Sequence, residues 1–202
     1  MPEEKKNSDH NSDLGELHFI EPQRINLKDF KCKDDLILDI GGGGEGVIGK
    51  LKGKRVVSID RQKRELEETD DESLKIVMDA TNLKFLDKSF YTVTSFFTLL
   101  YIPNKDKLNK IFSEIYRVLK NQGEFLIWDV KFEIPENTSK NKIATYLKID
   151  MPDGTLIDTG YGTRMHAQDI SDFLELANQH KFQVIEKENW DKVFFIRLKK
   201  GE

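Results

Sequence analysis

Short apolar runs, several of them closed by an aspartate, alternate along this chain with stretches whose apolar residues recur every three or four positions. That alternation predicts strands joined by crossover helices, the pattern of a parallel sheet. The first run, Leu36-Ile37-Leu38-Asp39-Ile40, delivers the chain into Gly41-Gly42-Gly43-Gly44-Glu45-Gly46. Further strands are predicted over 55–60, 74–79, 90–96 and 124–129, three of them ending in Asp60, Asp79 and Asp129. Charged residues 61–68 suit a connecting helix. The clearest helix is predicted over 105–120, where Leu108, Ile111, Phe112, Ile115, Tyr116 and Leu119 form one stripe, Asn104 is the N-cap and Asn121-Gln122-Gly123 is the stop.

After Lys131 the rhythm changes. Residues 143–149 and 155–161 flank Met151-Pro152-Asp153-Gly154, a strong turn signal, which predicts an inserted β-hairpin over about 143–161. A helix over 169–181 and two antiparallel strands over 182–186 and 193–198 close the chain. At the other end, residues 1–13 are polar and aperiodic and read as a disordered leader, and 14–30 read as a short helix packed across the mouth of the glycine loop. The expected fold is therefore α/β: a doubly wound seven-stranded sheet, mostly parallel with an antiparallel C-terminal strand, in a single domain over 14–202.

Five glycines in six positions after a buried strand allow backbone to approach a ligand where a Cβ would block it. Open α/β sheets bind ligands outside the carboxyl ends of their strands, where strand order reverses. Asp39, Asp60, Asp79 and Asp129 all fall at that edge. Each alone is also what a helix cap requires, but the four together favour a polar cleft.

Composition narrows the classes. The net charge of -4, with both signs interspersed, gives no broad basic field for a phosphate backbone and disfavours nucleic acid as a partner. The single cysteine, Cys32, excludes an intrachain disulfide framework and fits a reducing cytoplasm; Lys31 and Lys33 beside it would lower its pKa. No 18-residue apolar run exists, so membrane insertion is not expected. His10, His18, His166 and His180 show no metal-ligand spacing with one another or with Cys32, and no metal is expected.

Gly41, Gly43 and Gly46 satisfy G-x-G-x-x-G, and Asp60 stands 19 residues after Gly41, where an acid binds ribose hydroxyls. A nicotinamide or flavin dinucleotide fits, and so does S-adenosylmethionine. Asp39, two residues before the first glycine, would repel a pyrophosphate and suits a cationic sulfonium amino acid. Asp79-Ala80 offers a carboxylate and an amide to an adenine edge. In order, 36–46, 56–60, 78–80, 90–102 and 111–129 resemble the motifs of class I S-adenosylmethionine-dependent methyltransferases, a Rossmann-like family. The likeness is greatest to the small stand-alone group related to quinone and small-molecule methylating enzymes.

What the resemblance implies is an enzyme using S-adenosylmethionine. Gly41, Gly42 and Gly43 would face its methionine part, with Asp39 beneath them. Asp60 would bind the ribose hydroxyls and Arg61 would flank the adenine. Met78, Asp79 and Ala80 would read the adenine edge, while Phe96 and Phe97 would line the methyl-donor side. Tyr91, Leu100-Tyr101 and Asn121-Gln122-Gly123 depart from the family's usual Asp, His-His and Pro-Gly-Gly, so no particular substrate is inherited. His18, Tyr101, Asp129 and Tyr161 are candidates for the substrate pocket, and no catalytic base is identified. A small-molecule acceptor is expected and a protein acceptor stays open. The hairpin reads equally as a lid, a homodimer contact or an extra sheet edge. Two other readings remain: a non-catalytic protein that binds an adenosyl ligand, and an NAD-dependent oxidoreductase.

Overall fold

The computed structural model describes residues 17–33 and 35–201, so the leader expected over 1–13 lies outside the described residues. Strands β2 (Ile37–Ile40), β3 (Val56–Asp60), β4 (Leu74–Val77), β5 (Phe90–Phe96) and β6 (Leu119–Val130) run parallel; β9 (Phe182–Trp190) and β10 (Val193–Lys200) complete the sheet. The order is β4-β3-β2-β5-β6-β10-β9, with β10 antiparallel to both of its neighbours. Strand order reverses between β2 and β5, at the head of the glycine loop. The helices are α1 (Val47–Lys52), α2 (Lys63–Glu68), α3 (Lys105–Val118) and α4 (Ile170–Gln179).

The period-two alternation of the inner strands builds two cores. On β6, Phe125 and Ile127 face the layer of α3 and α4, where they meet Ile111, Phe112, Ile115 and Phe173. Leu126, Trp128 and Val130 face the opposite way. Helix α3 starts where the Asn104 side chain accepts a hydrogen bond from Lys107 N at 2.9 Å, as expected of an N-cap. A reciprocal capping box of Asp169 and Asp172 starts α4.

Three expectations are corrected. Residues Leu17–Asn26 form a strand, β1, instead of a helix. The hairpin is real, as β7 (Lys142–Asp150) and β8 (Leu156–Arg164), but β1 pairs parallel with β7 to make a separate three-stranded sheet, β1-β7-β8. Its inner residues Ile20, Ile25, Ile143, Leu147 and Ile149 pack into the second core with Leu126, Trp128 and Phe195. Third, Asn121-Gln122-Gly123 lies inside β6, where Gln122 takes a positive φ of 61° and the pairing with β5 shifts register.

Candidate functional site

The glycine loop is folded down onto the sheet. Gly41 N and Gly42 N both donate to Ile59 O, at 2.8 and 3.0 Å, and Gly44 N donates to Glu65 O at 2.9 Å. Gly41 has a φ of +70°, and a Cβ there would lie 2.2 Å from Thr98 Cγ2; glycine is required on both counts. Behind the loop, Asp39 is fully buried and its Oδ1 accepts from Thr94 Oγ1 at 2.7 Å. Burial, and then the repulsion of Asp71 and Asp60, pushes its carboxyl up to about 7.

Two adjoining clefts of about 560 Å³ each open at the carboxyl edge of the sheet. The first holds Asp60, Arg61, Met78, Asp79 and Ala80, with Ile40, Ile102 and Ile111 as apolar walls. Asp60 Oδ1 accepts from Gln62 N at 2.8 Å, which leaves Oδ2 for another partner. Asp79 is held by Thr81, whose N and Oγ1 each donate to its Oδ1 at 2.8 Å; with Arg61 Nε 3.5 Å away, these contacts keep its carboxyl below the usual range.

The second cleft continues over Gly41, Gly43 and Gly44 to an aromatic wall of Phe96, Phe97, Tyr101 and Tyr161. Phe97 is held at a φ of 50° while its N donates to Trp128 O at 2.9 Å. This left-handed turn, which costs roughly 1–3 kcal/mol, sets its ring against Tyr161 at a centroid distance of 5.3 Å. Tyr161 arrives from β8, so the small sheet supplies one wall of the cleft. Burial raises the hydroxyl pKa of both Tyr161 and Tyr101. Glu45, Glu65, Glu68 and Asp70 also line this cleft, against a single lysine, Lys50.

Not every expected residue reaches a cleft wall. Gly42 packs behind the loop, where a Cβ would meet Asp39 Oδ2 at 2.7 Å. Asp129 is wholly buried, and its carboxylate accepts from Leu100 N, Val130 N and Gln168 Nε2 at 3.1, 2.8 and 3.0 Å. It anchors the Leu99–Tyr101 turn that carries Tyr101 and stands behind the pocket; burial raises its pKa to about 7. His18 sits on β1 opposite Ile143 and lines neither cleft. Cys32 is also unlike the expectation: burial raises its pKa, outweighing the surrounding cations. Sequence reasoning missed Thr98, which lines both clefts and touches Gly41, and Glu65, which covers Gly43. Neither carried a motif signal.

Among the described residues no cluster of three or more His, Cys, Asp or Glu is placed to hold a metal ion, and no helix is long and apolar enough to cross a membrane.

Residues 38–127 match the family model described as a methyltransferase domain. The chain is 26% identical over 174 residues to sterol 4-C-methyltransferase strm-1 of Caenorhabditis elegans; the match takes in 85% of this chain and 48% of that protein, so the chain spans about half the length of the relative. A solved S-adenosylmethionine-dependent methyltransferase from Methanosarcina mazei superposes with a TM-score of 0.60 at 19% identity, over 87% of this chain and 96% of that one. The cyclase SpnF superposes with a TM-score of 0.62 at 13% identity, over 87% and 78% of the two chains.

Proposed function

We propose that this chain, which carries a class I S-adenosylmethionine-dependent methyltransferase domain, transfers a methyl group to a small molecule with a flat apolar portion. The observation that carries the choice of cofactor is the state of the glycine loop. Its amides at Gly41, Gly42 and Gly44 are already committed to Ile59 and Glu65 carbonyls, and five carboxylates, Glu45, Asp60, Glu65, Glu68 and Asp70, line the cleft over it. Such a loop repels a dinucleotide's pyrophosphate and accommodates a sulfonium amino acid. The residues fit the group: Asp60 Oδ2 would take a ribose hydroxyl, Asp79 and Ala80 the adenine edge, and Ile40, Met78 and Ile102 the faces of the base. S-adenosylmethionine bound there would supply a methyl carbon already activated for displacement.

What the chain itself contributes is position and exclusion of water. Phe96, Phe97 and Tyr161 form a wall on which a planar acceptor can lie, and the left-handed turn at Phe97 fixes that wall in advance. Tyr101 stands between the two clefts, steadied from behind by Asp129. The likeness to a sterol methyltransferase fits an acceptor with an apolar body. An acceptor atom with a free lone pair and no proton to lose takes the methyl group without a base, whereas a hydroxyl or carbon acceptor must release a proton, and no residue of the described site is identified as the base for it.

A second reading is adenosyl-ligand binding without methyl transfer, since a cyclase shares the fold and the fold alone does not specify methyl transfer. Titration by calorimetry with S-adenosylmethionine, S-adenosylhomocysteine and NAD, followed by an acceptor screen for S-adenosylhomocysteine release, separates the readings. Micromolar binding of the sulfonium pair with acceptor-dependent release supports transfer. Binding without release under any acceptor supports the second reading, and binding of NAD alone overturns both.

A further inference from the structure

Strand β8 is an edge of the three-stranded sheet, and one stretch of it lines the second cleft. In an antiparallel ladder, residues that exchange both backbone hydrogen bonds with the partner strand alternate with residues that turn both groups away. Two bonds fix that alternation here. Met165 N donates to Asn141 O at 2.8 Å at one end of the β7–β8 ladder, and Met151 N donates to Thr155 O at 2.9 Å at the other. The odd-numbered residues of β8 therefore pair with β7, while Leu156, Asp158, Gly160, Gly162 and Arg164 direct their N–H and C=O groups to the free edge.

What meets that edge changes along the strand. Arg164 O lies 2.9 Å from His166 Nδ1. The Gly162 amide faces the Tyr101 hydroxyl, whose pKa burial raises and this amide lowers. Tyr101 lines the second cleft, so the edge at Gly162 is turned towards it, and Gly160, one repeat along the same edge, lines the cleft itself. Among the described residues Gly160 N–H and C=O have no hydrogen-bond partner. The outer face of Gly160 is closed by Tyr146, whose ring a Cβ at 160 would meet at 3.2 Å. The adjacent residue, Tyr161, carries the ring that stacks on Phe97.

Gly160 thus offers one donor and one acceptor beside the wall on which the flat part of an acceptor would lie. A carboxylate can answer only the donor, and it is opposed by Glu45, Asp60, Glu65, Glu68 and Asp70 against Lys50. An ammonium can answer only the C=O. A secondary amide answers both, as a neighbouring strand would. With Tyr101 at Gly162 and His166 at Arg164, an added strand could not run on in that direction. We propose that the second cleft takes a small molecule bearing an uncharged secondary amide, which pairs with Gly160 N–H and C=O while its flat portion lies on Phe97 and Tyr161. That this molecule is the methyl acceptor rests on the methyl-transfer reading; its binding at Gly160 does not.

N-Phenethylacetamide is the probe. Phenethyl acetate, its ester, lacks the N–H, and 4-phenylbutanoate is an anion of similar size. Protein labelled with 15N is titrated with each in the absence of any adenosyl compound. The amide should move the Gly160 amide proton downfield and saturate at millimolar concentration, the ester should bind at least threefold more weakly, and the anion should not saturate. Tyr146→Ala makes room for a side chain at 160. In that background Gly160→Ala keeps the N–H, whereas Gly160→Pro removes it where an edge strand tolerates proline and sets a ring carbon in the path of the ligand. Affinity for the amide, followed through the Tyr161 amide resonance, should fall at least tenfold from the alanine to the proline variant, with thermal unfolding checking both folds. Failure of the amide to saturate, an ester that binds as tightly, or equal affinity in the two folded variants would overturn the proposal. Calorimetry with S-adenosylhomocysteine is read separately: its failure to bind beside a saturating amide would remove the methyl-transfer reading and leave the Gly160 site standing.

Discussion

Replacing Asp60 by alanine tests the cofactor assignment through a single atom. Asp60 Oδ1 is occupied by Gln62 N at 2.8 Å, so only Oδ2 is free to bind a ribose hydroxyl. One hydrogen bond to a charged acceptor is worth about 1.5–3 kcal/mol, which at roughly 1.4 kcal/mol per decade corresponds to about a 10- to 150-fold loss of affinity for S-adenosylhomocysteine. Asp60→Asn keeps the acceptor for Gln62 but puts an amide NH2, a donor, where Oδ2 accepted, so a ribose hydroxyl can only accept there, and its loss should fall between that of the parent and that of alanine. Calorimetric titration gives the three dissociation constants, and thermal unfolding of each variant checks the fold. The expected order of affinity is Asp60, then Asn, then Ala. An alanine variant that melts like the parent and binds within twofold of it would refute the assignment of Asp60 to the ribose.

Other perturbations reach different parts of the site. Gly41→Ala should lose about 2–5 kcal/mol of stability by chemical denaturation, from a left-handed alanine and overpacking against Thr98; adding Thr98→Gly should restore only the steric share. Asp39 has a folded pKa of about 7, above its ordinary value, so the stability it contributes is full below pH about 4 and is lost as pH rises through 7. Denaturation midpoints should therefore fall less steeply across that window in Asp39→Asn than in the parent, and identical slopes would show that Asp39 is not the group titrating. Tyr161→Ala should raise the KM for an acceptor while leaving S-adenosylhomocysteine affinity within twofold; equal damage to both would place Tyr161 against the cofactor instead.

Much of this architecture is legible in the residues because its signals are local. Buried runs closed by acids, the stripe of α3 and the Met151-Pro152-Asp153-Gly154 turn each specify an element within about a dozen positions. β1 is different. The register slips between Ile20 and Gln23, at Glu21-Pro22, which breaks the alternation that would have marked a strand, and its partner β7 lies far along the chain. A parallel pairing at such separation leaves no mark in either segment alone. The aspartates show a second limit. Residue type and strand position place four carboxylates at one edge, but only packing separates Asp60 and Asp79, which line the cleft, from Asp39 and Asp129, which are sealed beneath it.

The parallel pairing of β1 with β7 also governs the order in which the molecule can be assembled and taken apart. The strands that carry the glycine loop and Asp60 are contiguous in the chain and can pair as soon as they meet, whereas β1 must wait for residues 142–150 before it has a partner. Closing so long a loop slows that step. If this late pairing also makes the three-stranded sheet the first unit to open, its amides should exchange with solvent sooner than those of β2, β5 and β6, and equal protection would refute that order. Tyr161 belongs to this sheet, so any opening of the sheet would take with it one wall of the cleft while leaving the strands beneath in place.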